Sequence, residues 1–432
     1  MTIPILILLL VASYVACIWW AMSGEPTRVV LAIVALTLVA FGLRVVFPHA
    51  FPWGLHEDEE STVLAAFMKY CGSYPWGLLP NNLQSPLFAI TIGPLYPIVG
   101  LWWATRAYSL LASTFALPIA YGISRLLGLS RAAALGVVLP SLAALPWALL
   151  YGRSGIGGEV ILNGLMAIFT LLLILKRDLS TWQVLVAAIL LSFALVLCCL
   201  SYTPGKVELV SAGAAIVFAV ATRQWFRAVV LALALVIAAA TYNWIAIGEY
   251  AWYGFQLRGI ALDQPPTERL AKAFGAVRAF WTPLVLGTSQ SSTFVQMLPV
   301  PYLIALGIGV VAALRRREGI FLILWLIIGF MPAALGPNQI SSHRLLTASI
   351  LVPFVAAFTL DLTPANVRRT LAVLAAIAIL SWGASTYFSP WEYQDQLANC
   401  TYDCPLMPPD TQAGRPLAFG RPPLYPLTCS DL

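Results

Sequence analysis

Along the chain, long apolar runs alternate with short polar interruptions, and the runs recur at 4–22, 29–47, 106–125, 132–151, 158–175, 182–200, 207–222, 228–247, 299–314, 320–335, 345–360 and 370–387. A helix needs about 20 apolar residues to cross a hydrocarbon layer about 30 Å thick. The pattern therefore predicts an all-α polytopic membrane protein with about 12 transmembrane helices. The first run lacks the basic start and small-residue cleavage site of a signal peptide and reads as a retained helix. One further apolar stretch, 86–103, is interrupted by Pro86, Gly93, Pro94, Pro97 and Gly100. An interior proline costs a helix about 3 kcal/mol, so this stretch is expected to be an interfacial or re-entrant piece on the exterior surface.

Composition excludes a soluble globular chain, since 60% of the residues are hydrophobic and only 10% charged, against about 25% charged in soluble domains. The net charge of +6 does not mark a nucleic-acid binder, because the basic residues stand singly or in small groups between apolar runs. Their placement reads as topology. The short loops on one side hold Arg28, Arg125, Arg131, Lys176, Arg177, Arg223, Arg227, Arg315, Arg316, Arg317, Arg368 and Arg369 against only Glu25, Asp178, Glu318 and Asp361. By the positive-inside rule that side is cytoplasmic and both termini are exterior; counting 86–103 as a crossing would reverse every later loop.

Three exterior segments, 48–105, 248–298 and the proline-rich tail 388–432, are then large enough to carry chemistry. No internal or inverted repeat is visible. Cys17, Cys198 and Cys199 fall in apolar runs, whereas Cys400, Cys404 and Cys429 lie in the tail, where a disulfide suits the spacing better than a zinc site.

The candidate chemistry begins at His56, Glu57, Asp58, Glu59, Glu60 and Ser61, directly after the second run. Four acidic side chains at about 3 kcal/mol each exclude this stretch from the membrane centre. They could simply complement the dipole of a following helix. Alternatively, one carboxylate is a general base beside a dry groove, and its neighbour orients it or binds a divalent cation such as Mg or Mn, with Asp58, Glu59 and Glu159 as the candidate ligands. Arg106, Arg153, Lys206 and Arg344 all emerge at the exterior ends of predicted helices. Any one of them could snorkel to headgroups, but four beside an acidic cluster suit a lipid phosphate. Glu159, just after Arg153, is a natural partner for it, and the role of His343 stays open.

In this order, Asp58 and Glu59 in an exterior loop, Ser85 and Pro86 in an interfacial segment, a helix led by Arg106, the turn Gly152, Arg153, Ser154, Gly155, and the run Tyr202, Thr203, Pro204, Gly205, Lys206 resemble the GT-C class of membrane glycosyltransferases. The resemblance is nearest to the protein O-mannosyltransferase and aminoarabinose-transferase-like branch and is carried by residues 29–222; beyond them it rests on helix count and the Arg344 helix. It implies a GT-C-like fold with interfacial helices in the first exterior loop. The expected organisation is an extra N-terminal helix (1–28), a catalytic module (29–247) containing loop 48–105, an exterior loop (248–298), C-terminal helices (299–387) and the tail (388–432).

The resemblance further implies a polyprenyl-phosphate-linked sugar as donor and transfer with inversion to a hydroxyl or other nucleophile of a protein, lipid or glycan. Asp58 becomes the general base with Glu59 beside it. Arg153, Lys206, Arg344 and Arg106 hold the donor phosphate, supported by His56, Glu57, Glu159, Tyr202 and His343. The setting is an integral protein of the bacterial cytoplasmic membrane, working among membrane lipids with its site on the exterior, periplasmic face. The rival readings are a lipid or sugar transporter and a non-catalytic scaffold. Charges gathered at helix ends, away from the membrane midplane, favour the enzyme.

Overall fold

The computed structural model describes residues 2–46, 95–153, 158–176, 178–201, 203–245, 265–278, 284–286, 293–295, 298–335 and 345–388. Its helices are α1 (Thr2–Met22), α2 (Thr27–Val45), α3 (Tyr96–Leu126), α4 (Arg131–Ala144), α5 (Pro146–Arg153), α6 (Gly158–Leu175), α7 (Thr181–Leu200), α8 (Val207–Ala221), α9 (Trp225–Ile245), α10 (Pro266–Arg278), α11 (Val300–Ala313), α12 (Arg317–Gly329), α13 (Met331–Leu335), α14 (Leu346–Asp361) and α15 (Ala365–Tyr387). Among the described residues, seven helical stretches are long and apolar enough to span a membrane, α4 with α5 forms a bent eighth, and four shorter apolar helices occupy the remaining predicted runs.

A short antiparallel ladder pairs β1 (Leu284–Leu286) with β2 (Thr293–Val295) between α9 and α11. Hydropathy alone did not suggest it, although the two short apolar runs are separated by a Gly- and Ser-containing stretch of the kind that closes hairpins. The expected interfacial helices of loop 48–105 lie outside the described residues up to position 94.

Helix α6 is the axis of the bundle: 94% of its spanning window is buried, against 22% for the peripheral α2 and α15. It packs most extensively against α3 and α7. Within lipid no hydrophobic force draws helices together, so close approach depends on small residues. Gly309 of α11 lies so near the Val355 carbonyl of α14 that a Cβ there would collide with it.

Two predicted boundaries change. The stretch 86–103 is not wholly separate, because α3 begins at Tyr96 and runs unbroken through Arg106 to Leu126. Pro97 occupies its first turn, where a missing N–H costs nothing. The run 132–151 is not one helix but breaks at Leu145, with α4 and α5 meeting at 51°. Within α4, residues Ala134–Val138 form a π-helical turn just ahead of Pro140, which cannot donate to the Gly136 carbonyl.

The short loops assigned to the cytoplasmic side meet at one end of the bundle and are stitched together there. Glu25 accepts from Arg131 at 2.7 Å and lies 3.6 Å from Arg125. Asp361 lies 3.6 Å from Arg316 and 3.8 Å from Arg368 and accepts from the Ser130 amide at 3.1 Å. Arg316 also reaches the Gly128 carbonyl, and Arg227 reaches that of Lys176. Basic loops that alternate along the chain thus share a single face, as the positive-inside reading requires.

Candidate functional site

At the opposite end, α5 is aimed by a buried arginine. Arg44, 1% exposed near the end of α2, donates Nε to Ser113 Oγ at 2.8 Å, one terminal nitrogen to the carbonyls of Ala40 (3.0 Å) and Ala143 (3.1 Å), and the other to Leu142 at 2.8 Å. In an unbroken helix the Leu142 carbonyl would accept from residue 146, but Pro146 has no N–H. Arg44 supplies the missing donor and fixes the bend from which α5 leads to Arg153.

Arg153 is also 1% exposed. It donates to the Leu43 carbonyl at 2.9 Å, and its guanidinium carbon lies 5.6 Å from the Tyr387 ring centre and 5.3 Å from that of Phe388. The charges of Arg44 and Arg106 both bear on it. Guanidinium groups tolerate such crowding when aromatic faces and carbonyls surround them, a cation–π contact contributing about 0.5–2 kcal/mol. Arg106, 2% exposed on α3, completes a row of three basic side chains at this end of the bundle.

The end of α5 and the start of α6 are both held to α3. Ser109 Oγ accepts from the Gly158 amide at 2.7 Å and donates to the Tyr151 carbonyl at 3.2 Å. A Cβ on Gly158 would overlap Ser109, so only glycine allows the helices this close. Glu159 follows in the first turn of α6, fully buried and within electrostatic reach of Tyr14 and Tyr108.

Those tyrosines belong to a part-buried chain of hydrogen bonds that hydropathy reading missed. Tyr14 donates to Asn163 Oδ1 at 2.9 Å and lies 3.1 Å from the Tyr108 hydroxyl, while Asn163 donates to Ser201 Oγ at 2.7 Å. The extra first helix is therefore tied to α3, α6 and the end of α7. The lone amide Asn163 within the apolar run 158–175 is the sequence signal that could have flagged it.

Ser201 leads into the 3₁₀ turn Thr203–Lys206. Lys206 is half-buried there, and desolvation lowers its ammonium pKa below the ordinary lysine value. Two residues on, Glu208 is 2% exposed and accepts from the Trp325 indole at 3.0 Å, joining α8 to α12. With Arg44 it shows that not every charge outside the short loops sits at a helix end exposed to headgroups.

Of the residues singled out from sequence, Arg106, Arg153, Glu159 and Lys206 lie at one end of the bundle, opposite the stitched loops. His56, Glu57, Asp58, Glu59, Tyr202, His343 and Arg344 lie outside the described residues. Among the described residues no three His, Cys, Asp or Glu side chains are grouped as a metal site. Cys17, Cys198 and Cys199 are buried free thiols, and the tail cysteines lie outside the described residues.

No family model and no curated protein matches the sequence. Solved structures do. ArnT from Cupriavidus metallidurans in the apo state superposes with a TM-score of 0.56 at 15% identity, over 82% of this chain and 63% of that one. The same protein bound to undecaprenyl phosphate gives 0.50 at 16% identity, over 86% and 73%. The archaeal oligosaccharyltransferase AglB from Archaeoglobus fulgidus, in complex with an inhibitory peptide and a dolichol-phosphate, gives 0.52 at 15% identity, over 88% and 56%. The chain thus spans less than two thirds of the length of apo ArnT and of AglB. These likenesses establish a GT-C-like membrane fold.

Proposed function

We propose that this chain is a glycosyltransferase that moves a sugar from a polyprenyl-phosphate donor to a nucleophile at the exterior face of the membrane. The observation that carries the proposal is the buried Arg153, held on Tyr387 and Phe388 beside Arg106 at the end of the bundle away from the basic loops. A GT-C-like fold whose solved examples include one bound to undecaprenyl phosphate and one in complex with a dolichol-phosphate supports it. A row of guanidinium groups is the side-chain chemistry suited to a phosphate arriving on a lipid.

In the proposed reaction the acceptor hydroxyl attacks the anomeric carbon as the bond from that carbon to the phosphate oxygen breaks. Asp58 takes the hydroxyl proton, aided by Glu59, and the electron pair of the broken bond leaves on polyprenyl phosphate. Arg153, Lys206, Arg344 and Arg106 stabilise the charge that grows on the leaving phosphate, where fixed donors in a dry site act most strongly. A single displacement inverts the anomeric centre. The proposed setting is the bacterial cytoplasmic membrane with the site on the periplasmic side, and the proposed branch is that of the protein O-mannosyltransferases and aminoarabinose transferases.

The test is to incubate the purified protein in lipid with radiolabelled polyprenyl-phosphate sugars and to follow release of polyprenyl phosphate with and without a membrane extract. Extract-dependent release that disappears in Asp58→Asn is the expected result. Absence of release across several sugars and extracts, from folded protein, overturns the proposal and favours a transporter or scaffold.

A further inference from the structure

Helix α10 is turned inside out for a helix meeting water. Leu270 and Phe274, one turn apart on one face, are 59% and 68% exposed. Thr267 and Ala271 share that exposed face. Arg269 and Lys272 fall on the other side and are half-buried, with Lys272 held 3.7 Å from Glu268. A helix that directs its large apolar side chains away from the protein and its basic ones toward it is adapted to an apolar surrounding.

The depth of α10 follows from its neighbour. It packs against α13, the exterior end of the span Arg317–Ala334. That span has 18 residues, and at 1.5 Å per residue it rises about 27 Å, close to the full hydrocarbon thickness. Since Arg317 begins it at the stitched face, α13 lies where hydrocarbon gives way to headgroups, and α10 lies beside it. The same span exposes large apolar side chains of its own, with Ile327 60% exposed.

We propose that α10 is an in-plane membrane helix, docked on the exterior lipid interface with Leu270 and Phe274 among the upper acyl chains and Arg269 and Lys272 toward the protein. The bilayer is then a structural partner of α10, independent of any reaction the chain performs. Neither a second copy nor the tail is needed to cover this face.

The test places photoreactive benzoylphenylalanine singly at positions 270 and 274, with position 327 as a lipid-facing reference, in full-length protein in phosphatidylethanolamine–phosphatidylglycerol vesicles. Both exterior positions are exposed, so the larger side chain disturbs no packing. After irradiation, mass spectrometry identifies what each residue has bonded to. Lipid adducts at 270 and 274 in yields comparable to those at 327 are expected. Adducts to a second copy, adducts to residues 388–432 of the same chain, or no adducts at 270 and 274 while 327 reacts would each overturn the assignment.

Discussion

Replacing Arg44 with methionine keeps the length and apolar stem of the side chain and removes all four of its hydrogen bonds. The Ala40 carbonyl lies within α2 and retains its helical donor, so the cost falls mainly on the Leu142 and Ala143 carbonyls at the break before Pro146. Leaving a buried acceptor unmade costs about 1–3 kcal/mol. Side-chain hydrogen bonds inside membranes average only about 0.6 kcal/mol. Loss of repulsion against Arg153 offsets part of the damage. Arg44→Met should therefore destabilise the fold by about 2–3 kcal/mol, read as a shift in the midpoint of unfolding in mixed detergent micelles. A double-mutant cycle isolates the cause, because Pro146→Ala restores an N–H that the Leu142 carbonyl can accept from. In that background Arg44→Met should cost distinctly less. Equal costs in both backgrounds would refute the claim that Arg44 substitutes for the donor lost to Pro146.

Other expectations follow from particular contacts. Gly158→Ala pushes a methyl into Ser109 and should cost about 1–3 kcal/mol of overpacking, measurable in the same unfolding assay. Tyr14→Phe removes the links to Tyr108 and Asn163 and should loosen α1, giving faster hydrogen exchange in residues 2–22 than in wild type. Under the proposed function, Arg153→Lys should weaken undecaprenyl-phosphate binding about tenfold or more, since an ammonium cannot reproduce a planar group seated on two rings. Lys206 has its pKa lowered by burial, so it loses its charge at a lower pH than a free lysine. Binding of the anionic lipid should accordingly fall as pH rises through that lowered value, and in Lys206→Arg, which stays charged, the fall should be absent.

Hydropathy alone located the membrane-spanning runs, because the cost of exposing polar backbone to lipid forces any long apolar stretch into a helix whatever its neighbours are. Charge grouping sorted the loops, and the structure brings Glu25, Arg131, Asp361 and Arg316 together at one face accordingly. Glycine and proline spacing drew notice to Arg153 and Lys206, and the fold places both residues at the other end, Arg153 as the last residue of α5 and Lys206 in a 3₁₀ turn. What periodicity could not supply was any fact that depends on two distant segments. The break at Leu145 is stable because Arg44, about a hundred residues earlier, reaches its carbonyls. Tyr14, Asn163 and Ser201 are unremarkable singly and become a network only when α1, α6 and α7 meet. Glu208 reads as a charge at a helix end until Trp325 is folded against it. Burial of a polar group is tolerable only when a partner is delivered in the right geometry, and that delivery is a property of the packed bundle.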